Sequence, residues 1–123
     1  MKVTLYAPKE YWKLSEEEKQ KICNGCGGRG GMFNFLIPQK HFQEACNIHD
    51  YMYATGYTEE DKRKADATLL YNLDLIVKQT KGLKRMWYKK LAKTFYKAVH
   101  SFGDYYFWKG KKFEDLVGKS VEV

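Results

Sequence analysis

An all-α fold in one small domain is what this sequence predicts, and three observations carry the prediction. Apolar residues recur at spacings of three and four through residues 39–55, again through 65–77, and again from about Leu83 to Phe102. Residues that start helices stand ahead of two helical segments, and the only two prolines, Pro8 and Pro38, sit where helices have not yet begun. At 123 residues the chain can bury one core and is too short for two. The expected architecture is a central antiparallel helical hairpin, residues 39–82, with a glycine-rich loop before it and a basic amphipathic helix after it.

In order, residues 1–22 hold a short extended piece, Val3 to Tyr6, and a helix that starts at Ser15-Glu16-Glu17-Glu18 and ends near Cys23. Ser15 and Glu18 form a capping box, each side chain satisfying a backbone donor the helix start leaves open. Residues 23–38, CNGCGGRGGMFNFLIP, carry five glycines between positions 25 and 31, too many for a helix, and predict a tightly turned loop with exposed backbone groups. Phe42, Ala45, Cys46, Ile48, Met52 and Tyr53 then draw the buried stripe of a helix that stops at Gly56. Thr58 caps the next helix, acidic residues fill its first turn, and Ala65, Leu69, Leu70, Leu73, Ile76 and Val77 draw its stripe as far as Gly82. Residues 83–123 form a basic aromatic helix and tail, in which Trp87, Leu91, Phe95, Ala98 and Phe102 face Lys84, Arg85, Lys89, Lys90, Lys93 and Lys97.

A hydrophobic content of 44% with 16% aromatics excludes a disordered chain, because that many large side chains can offset the entropy lost on ordering. The formal charge of +7 implies anionic partners, phospholipid head groups or nucleic acid. No apolar run approaches the roughly 20 residues of a membrane span, and the first residues lack the apolar stretch of a secretion signal. A cytoplasmic or virion-associated protein, released by lysis, is the expectation. Three cysteines, an odd number, predict no disulfide framework and a fold that rests on packing.

His49 lies in line with Phe42, Cys46 and Tyr53, and Asp66 with Leu69, Leu70 and Leu73, so both polar groups point inward. The turn near Gly56–Thr58 is short, and residues equally far from it on the two helices sit at the same height; 49 with 66 satisfies this, as do 46 with 69 and 42 with 73. His49 should therefore meet Asp66. An aspartate on one imidazole nitrogen fixes the tautomer and leaves the other nitrogen as a base, while Tyr53, one turn along, can donate to the same carboxylate. Such a pair can also be purely structural. Asp50 favours chemistry, because it turns about 100° away from His49 and sets a second carboxylate at the rim facing the glycine loop, an oxygen site suited to calcium.

The run Cys46-Asn47-Ile48-His49-Asp50-Tyr51-Met52-Tyr53 resembles the active-site helix of phospholipase A2, C-C-x-x-H-D-x-C-Y, and Cys26-Gly27 followed by Gly30-Gly31 resembles that family's calcium loop, C-G-x-G-G. Together with AVHSFGDYYFWKGK, these motifs look like the small cysteine-poor phospholipase A2-like proteins of bacteria and phages. The resemblance implies that His49 is the general base, Asp66 orients it, Tyr53 supports it, and Asp50 binds calcium with carbonyls of Gly25, Gly27 and Gly30. It also implies hydrolysis of the sn-2 ester of glycerophospholipids at a membrane surface. Two departures stand out: Ala45 and Met52 replace disulfide cysteines, and the loop has one extra residue before Gly30.

Two other readings use the same residues. Cys23-x-x-Cys26 with Cys46-x-x-His49 is a zinc-like ligand set, which would give His49 a structural role. Alternatively, Lys84 to Lys97 and YYFWKGKK could grip an anionic membrane or single-stranded nucleic acid without chemistry. His41 and His100, near helix ends, are expected at the surface.

Overall fold

The computed structural model describes residues 1–23, 39–99 and 115–123, and within these the side chains of all but 39–40 and 95–99. Strand β1 (Lys2–Ala7) leads through a single 3₁₀ turn (Tyr11–Lys13) into helix α1 (Glu16–Ile22). Helices α2 (Gln39–Thr55), α3 (Glu59–Gln79) and α4 (Gly82–Val99) follow, then strand β2 (Val117–Glu122). Both helix-start signals are used as expected. Ser15 accepts from the Glu18 N–H at 3.1 Å while Glu18 accepts from Ser15 N–H, and Thr58 and Asp61 repeat the exchange at 3.0 and 3.2 Å. Gly82, with φ of 67°, adopts the left-handed conformation that lets the chain turn from α3 into α4. At the other turn a Cβ on Gly56 would lie 2.9 Å from both the Met52 carbonyl and the Asp61 Cβ, so only glycine lets the chain pass there.

The expectation of an all-α fold centred on a helical hairpin is corrected by the sheet. β1 and β2 pair antiparallel, Lys2 with Glu122 through Ala7 with Val117. Four helices among the described residues are thus joined by a two-stranded sheet made from segments at opposite ends of the sequence. The central element is α3, on which α2, α4 and β1 all pack. Residues 117–122 give no strand signal on their own, since Gly118, Lys119 and Ser120 interrupt their apolar alternation and their partner strand lies more than a hundred residues away. Pairing that remote leaves no local signal.

β1 alternates as a half-buried strand should, with Val3, Leu5 and Ala7 in the core. Its free edge is answered by a side chain. Asn72 of α3, fully buried, accepts from Tyr6 N–H and donates to Tyr6 C=O, both at 2.8 Å. Since the Tyr6 peptide groups point towards α3, Tyr6 and Gly118 form a non-hydrogen-bonded pair, the kind in which facing side chains come closest. A Cβ at Gly118 would lie 2.8 Å from the Tyr6 ring, which explains the glycine.

The core runs from β1 through Tyr11, Phe42, Ile48, Leu69, Leu73 and Ile76, all fully buried. Tyr88 and Ala92 are the buried residues among the described side chains of α4, and Tyr88 meets the Phe42 ring edge-on at 5.6 Å. Trp87, expected on the inward stripe of that helix, is 53% exposed. Phe95, Ala98, Lys97, Phe102 and His100, and the aromatic run after them, fall outside the described side chains.

Asn72→Leu keeps the heavy-atom count and branching of the side chain and removes both bonds to β1, leaving the part-buried Tyr6 N–H and C=O unpaired. We expect it to destabilise the fold by about 3 kcal/mol, read as a lower denaturant midpoint with an unchanged slope.

Candidate active site

His49 on α2 and Asp66 on α3 meet where their register requires. His49 is 6% exposed and Asp66 2%, and His49 Nε2 lies 2.7 Å from Asp66 Oδ1. Tyr53, one turn along α2, donates its hydroxyl to the same oxygen at 2.7 Å, and its ring centroid lies 4.3 Å from that of His49. A buried carboxylate without hydrogen-bond donors is costly; two short bonds from α2 answer that cost. Because Asp66 takes the proton on Nε2, the neutral ring carries its lone pair on Nδ1, which forms no hydrogen bond to a described residue. The Tyr53 phenol is held protonated by burial first, then by its hydrogen bond to Asp66 and the charge of that carboxylate. This is a buried His–Asp pair of the kind that activates water in hydrolases.

Asp50 follows His49 and is half-buried. Its carboxylate acts on the thiol of Cys23, the last described residue before the glycine-rich segment. Cys23 donates to the Asn47 carbonyl at 3.2 Å. Burial, then the charges of Asp50 and Glu44, push its pKa up to about 11, against a smaller opposing effect of Lys19. Asp50 and Cys23 are therefore near neighbours.

A second cluster went unnoticed in the sequence. The Tyr11 hydroxyl donates to Glu44 Oε1 at 2.7 Å, Lys19 Nζ reaches the same oxygen at 3.2 Å, and the Lys19 ammonium sits 4.9 Å from the Tyr11 ring centroid. Burial, reinforced by Glu44, raises the Tyr11 pKa. These bonds fix α1 against α2 and so fix Cys23 beside Asp50. Nothing in the periodicity of α1 announced them, because a contact between residues 19 and 44 depends on how the helices pack.

Of the residues singled out from sequence, His49, Asp66 and Tyr53 come together and Asp50 lies beside them. Gly25, Gly27, Gly30 and Cys26 lie outside the described residues. Among the described residues no group of three or more His, Cys, Asp or Glu side chains is placed to hold a metal. Cys46 is disulfide-bonded and Cys23 is a free thiol, which corrects the expectation of a fold without disulfides. His49, which the zinc-like set would also use, has its Nε2 engaged by Asp66. An odd cysteine count carries no sign of that disulfide, while Cys46 is the buried core residue that its place on the α2 stripe implies.

No family model, curated protein or solved structure matches the chain.

The fold favours the protonated Cys23 thiol. Its contribution to stability is complete below the ordinary pKa of 9.0 and is lost as pH rises through about 11. The same shift lowers the thiolate population near pH 8 about 100-fold. Alkylation of Cys23 by iodoacetamide, followed by mass spectrometry, should accordingly be about 100-fold slower in the folded chain than in urea.

Proposed function

We propose that this chain is a calcium-dependent esterase of the phospholipase A2 type, cleaving the sn-2 ester of glycerophospholipids. The observation that carries the reading is the orientation of His49: Nε2 bound to a buried Asp66, with Nδ1 left as the basic nitrogen. Its support from the sequence is the His49-Asp50 pair behind a glycine-rich segment.

In this reading Nδ1 accepts a proton from water as the water oxygen attacks the ester carbonyl. The imidazolium that forms is stabilised by Asp66, whose position Tyr53 maintains. The ring then returns the proton to the leaving glycerol oxygen, giving a lysophospholipid and a fatty acid. No bond between enzyme and acyl group forms. The burial of the His–Asp pair strengthens the electrostatic coupling between the two groups.

The donors that the resemblance assigns are of the kind calcium takes. The Asp50 carboxylate and the carbonyls of Gly25, Gly27 and Gly30 are all hard oxygens, with no thiolate or imidazole among them. When bound, calcium would polarise the ester carbonyl and stabilise the charge that develops on its oxygen.

Fatty-acid release from a dispersed short-chain phosphatidylcholine labelled at sn-2 tests this. Activity should require calcium and stop with chelator. His49→Gln should lower turnover about 10³-fold, whereas Tyr53→Phe, which leaves the Nε2 bond in place, should cost less than about tenfold. Calorimetry should show calcium binding lost in Asp50→Asn and kept in His49→Gln. Turnover that survives both chelation and His49→Gln would overturn the mechanism.

A further inference from the structure

The first turn of α4 is apolar on its outer side. Leu83 is 85% exposed, Met86 70% and Trp87 53%, while Tyr88 and Ala92 on the other side are buried. Residues three and four apart share a helix face, so these three large side chains form one patch. A shallow groove of 390 Å³ beside it is lined by Leu83, Lys84, Trp87 and Tyr88. Around and beyond the patch Lys84, Arg85, Lys89, Lys90 and Lys93 are exposed, and Gly82–Val99 contains no acidic residue. Single exposed apolar residues are ordinary, but three together, bordered by one sign of charge, mark a contact surface.

We infer that this face docks the protein on an anionic phospholipid surface, with Trp87 at head-group depth, Leu83 and Met86 at the acyl boundary, and the basic residues against lipid phosphates. Charge complementarity selects the occupant. A second copy would bring two uniformly basic faces together. A nucleic acid would satisfy the lysines and could stack on Trp87, but it offers nothing to Leu83 and Met86, whose aliphatic side chains gain only where there is hydrocarbon to enter. The inference deepens the phospholipase reading, on which it rests, by naming the surface where substrate is met. It also gives the basic helix a division of labour: an apolar leading turn, followed by a basic turn.

Sedimentation of the full chain with vesicles of ether-linked phosphatidylglycerol, which has no ester to cleave, tests the docking apart from catalysis. Partitioning should exceed that onto ether-linked phosphatidylcholine at least about tenfold and weaken with salt. The double variant Leu83→Ser, Trp87→Ser should lower it about tenfold with an unchanged circular dichroism spectrum and unchanged turnover of dispersed short-chain substrate. Lys89→Gln with Lys93→Gln should reduce only the preference for anionic lipid. Equal binding to both lipids, or no loss in the double variant, overturns the proposal, as does tighter binding to oligo-dT or a patch buried in a dimer at the working concentration. If the variants behave as expected and the unaltered chain cleaves no dispersed substrate, the docking face stands and the catalytic reading falls; the opposite result separates them the other way.

Discussion

Asp66 is the constraint around which the molecule is organised. A carboxylate that is 2% exposed needs hydrogen-bond donors, and two come from one face of α2, His49 and Tyr53 one turn apart and both bonded to the same oxygen. The pairing fixes how α2 lies on α3, because sliding either helix by one residue would withdraw both donors together. The arrangement that solves the burial problem also leaves the imidazole with a defined tautomer and one basic nitrogen. Stability and chemistry are the same geometric condition at this point in the structure.

The same helix resolves its other buried polar residues in different directions. Asn72, six residues beyond Asp66, turns its amide to the edge of β1. Thr68 donates to the Lys64 carbonyl at 2.8 Å and Thr80 to that of Val77 at 2.7 Å, so their hydroxyls are satisfied within the helix. A helix buried on several sides needs such local solutions, since an unanswered polar group in the core costs as much as several methylenes gain. This explains how a segment with three acids in its first turn and a low mean hydropathy can be the core element.

What was legible in the sequence was local or periodic. The capping boxes at Ser15 and Thr58 depend on residues three apart, and the meeting of His49 with Asp66 follows from two helical periods and a short turn. What was hidden depended on chain segments far apart. β2 carries too little alternation to be seen without β1, and Tyr11, Glu44 and Lys19 become a network only after α1 has docked on α2. Trp87 misled for a different reason. Period alone allows two nearby faces of α4 to be the inner one, and Tyr88 with Ala92 wins because Tyr88 can reach Phe42. Cys46 lies in the core as its place on the stripe implies, but its oxidation state is invisible in an odd count.

The strand pair has a mechanical meaning. Met1 and Val123 lie side by side, Val123 N–H donating to the Met1 carbonyl at 2.8 Å, and the strands run antiparallel from there. Tension applied to the two ends therefore pulls on neighbouring strands from one side and opens their bonds one after another, like a zipper, instead of shearing the whole ladder at once. The first element to yield would be the sheet, at low force. Peeling β1 back as far as Tyr6 would then transmit the load to Asn72, and through it directly to α3.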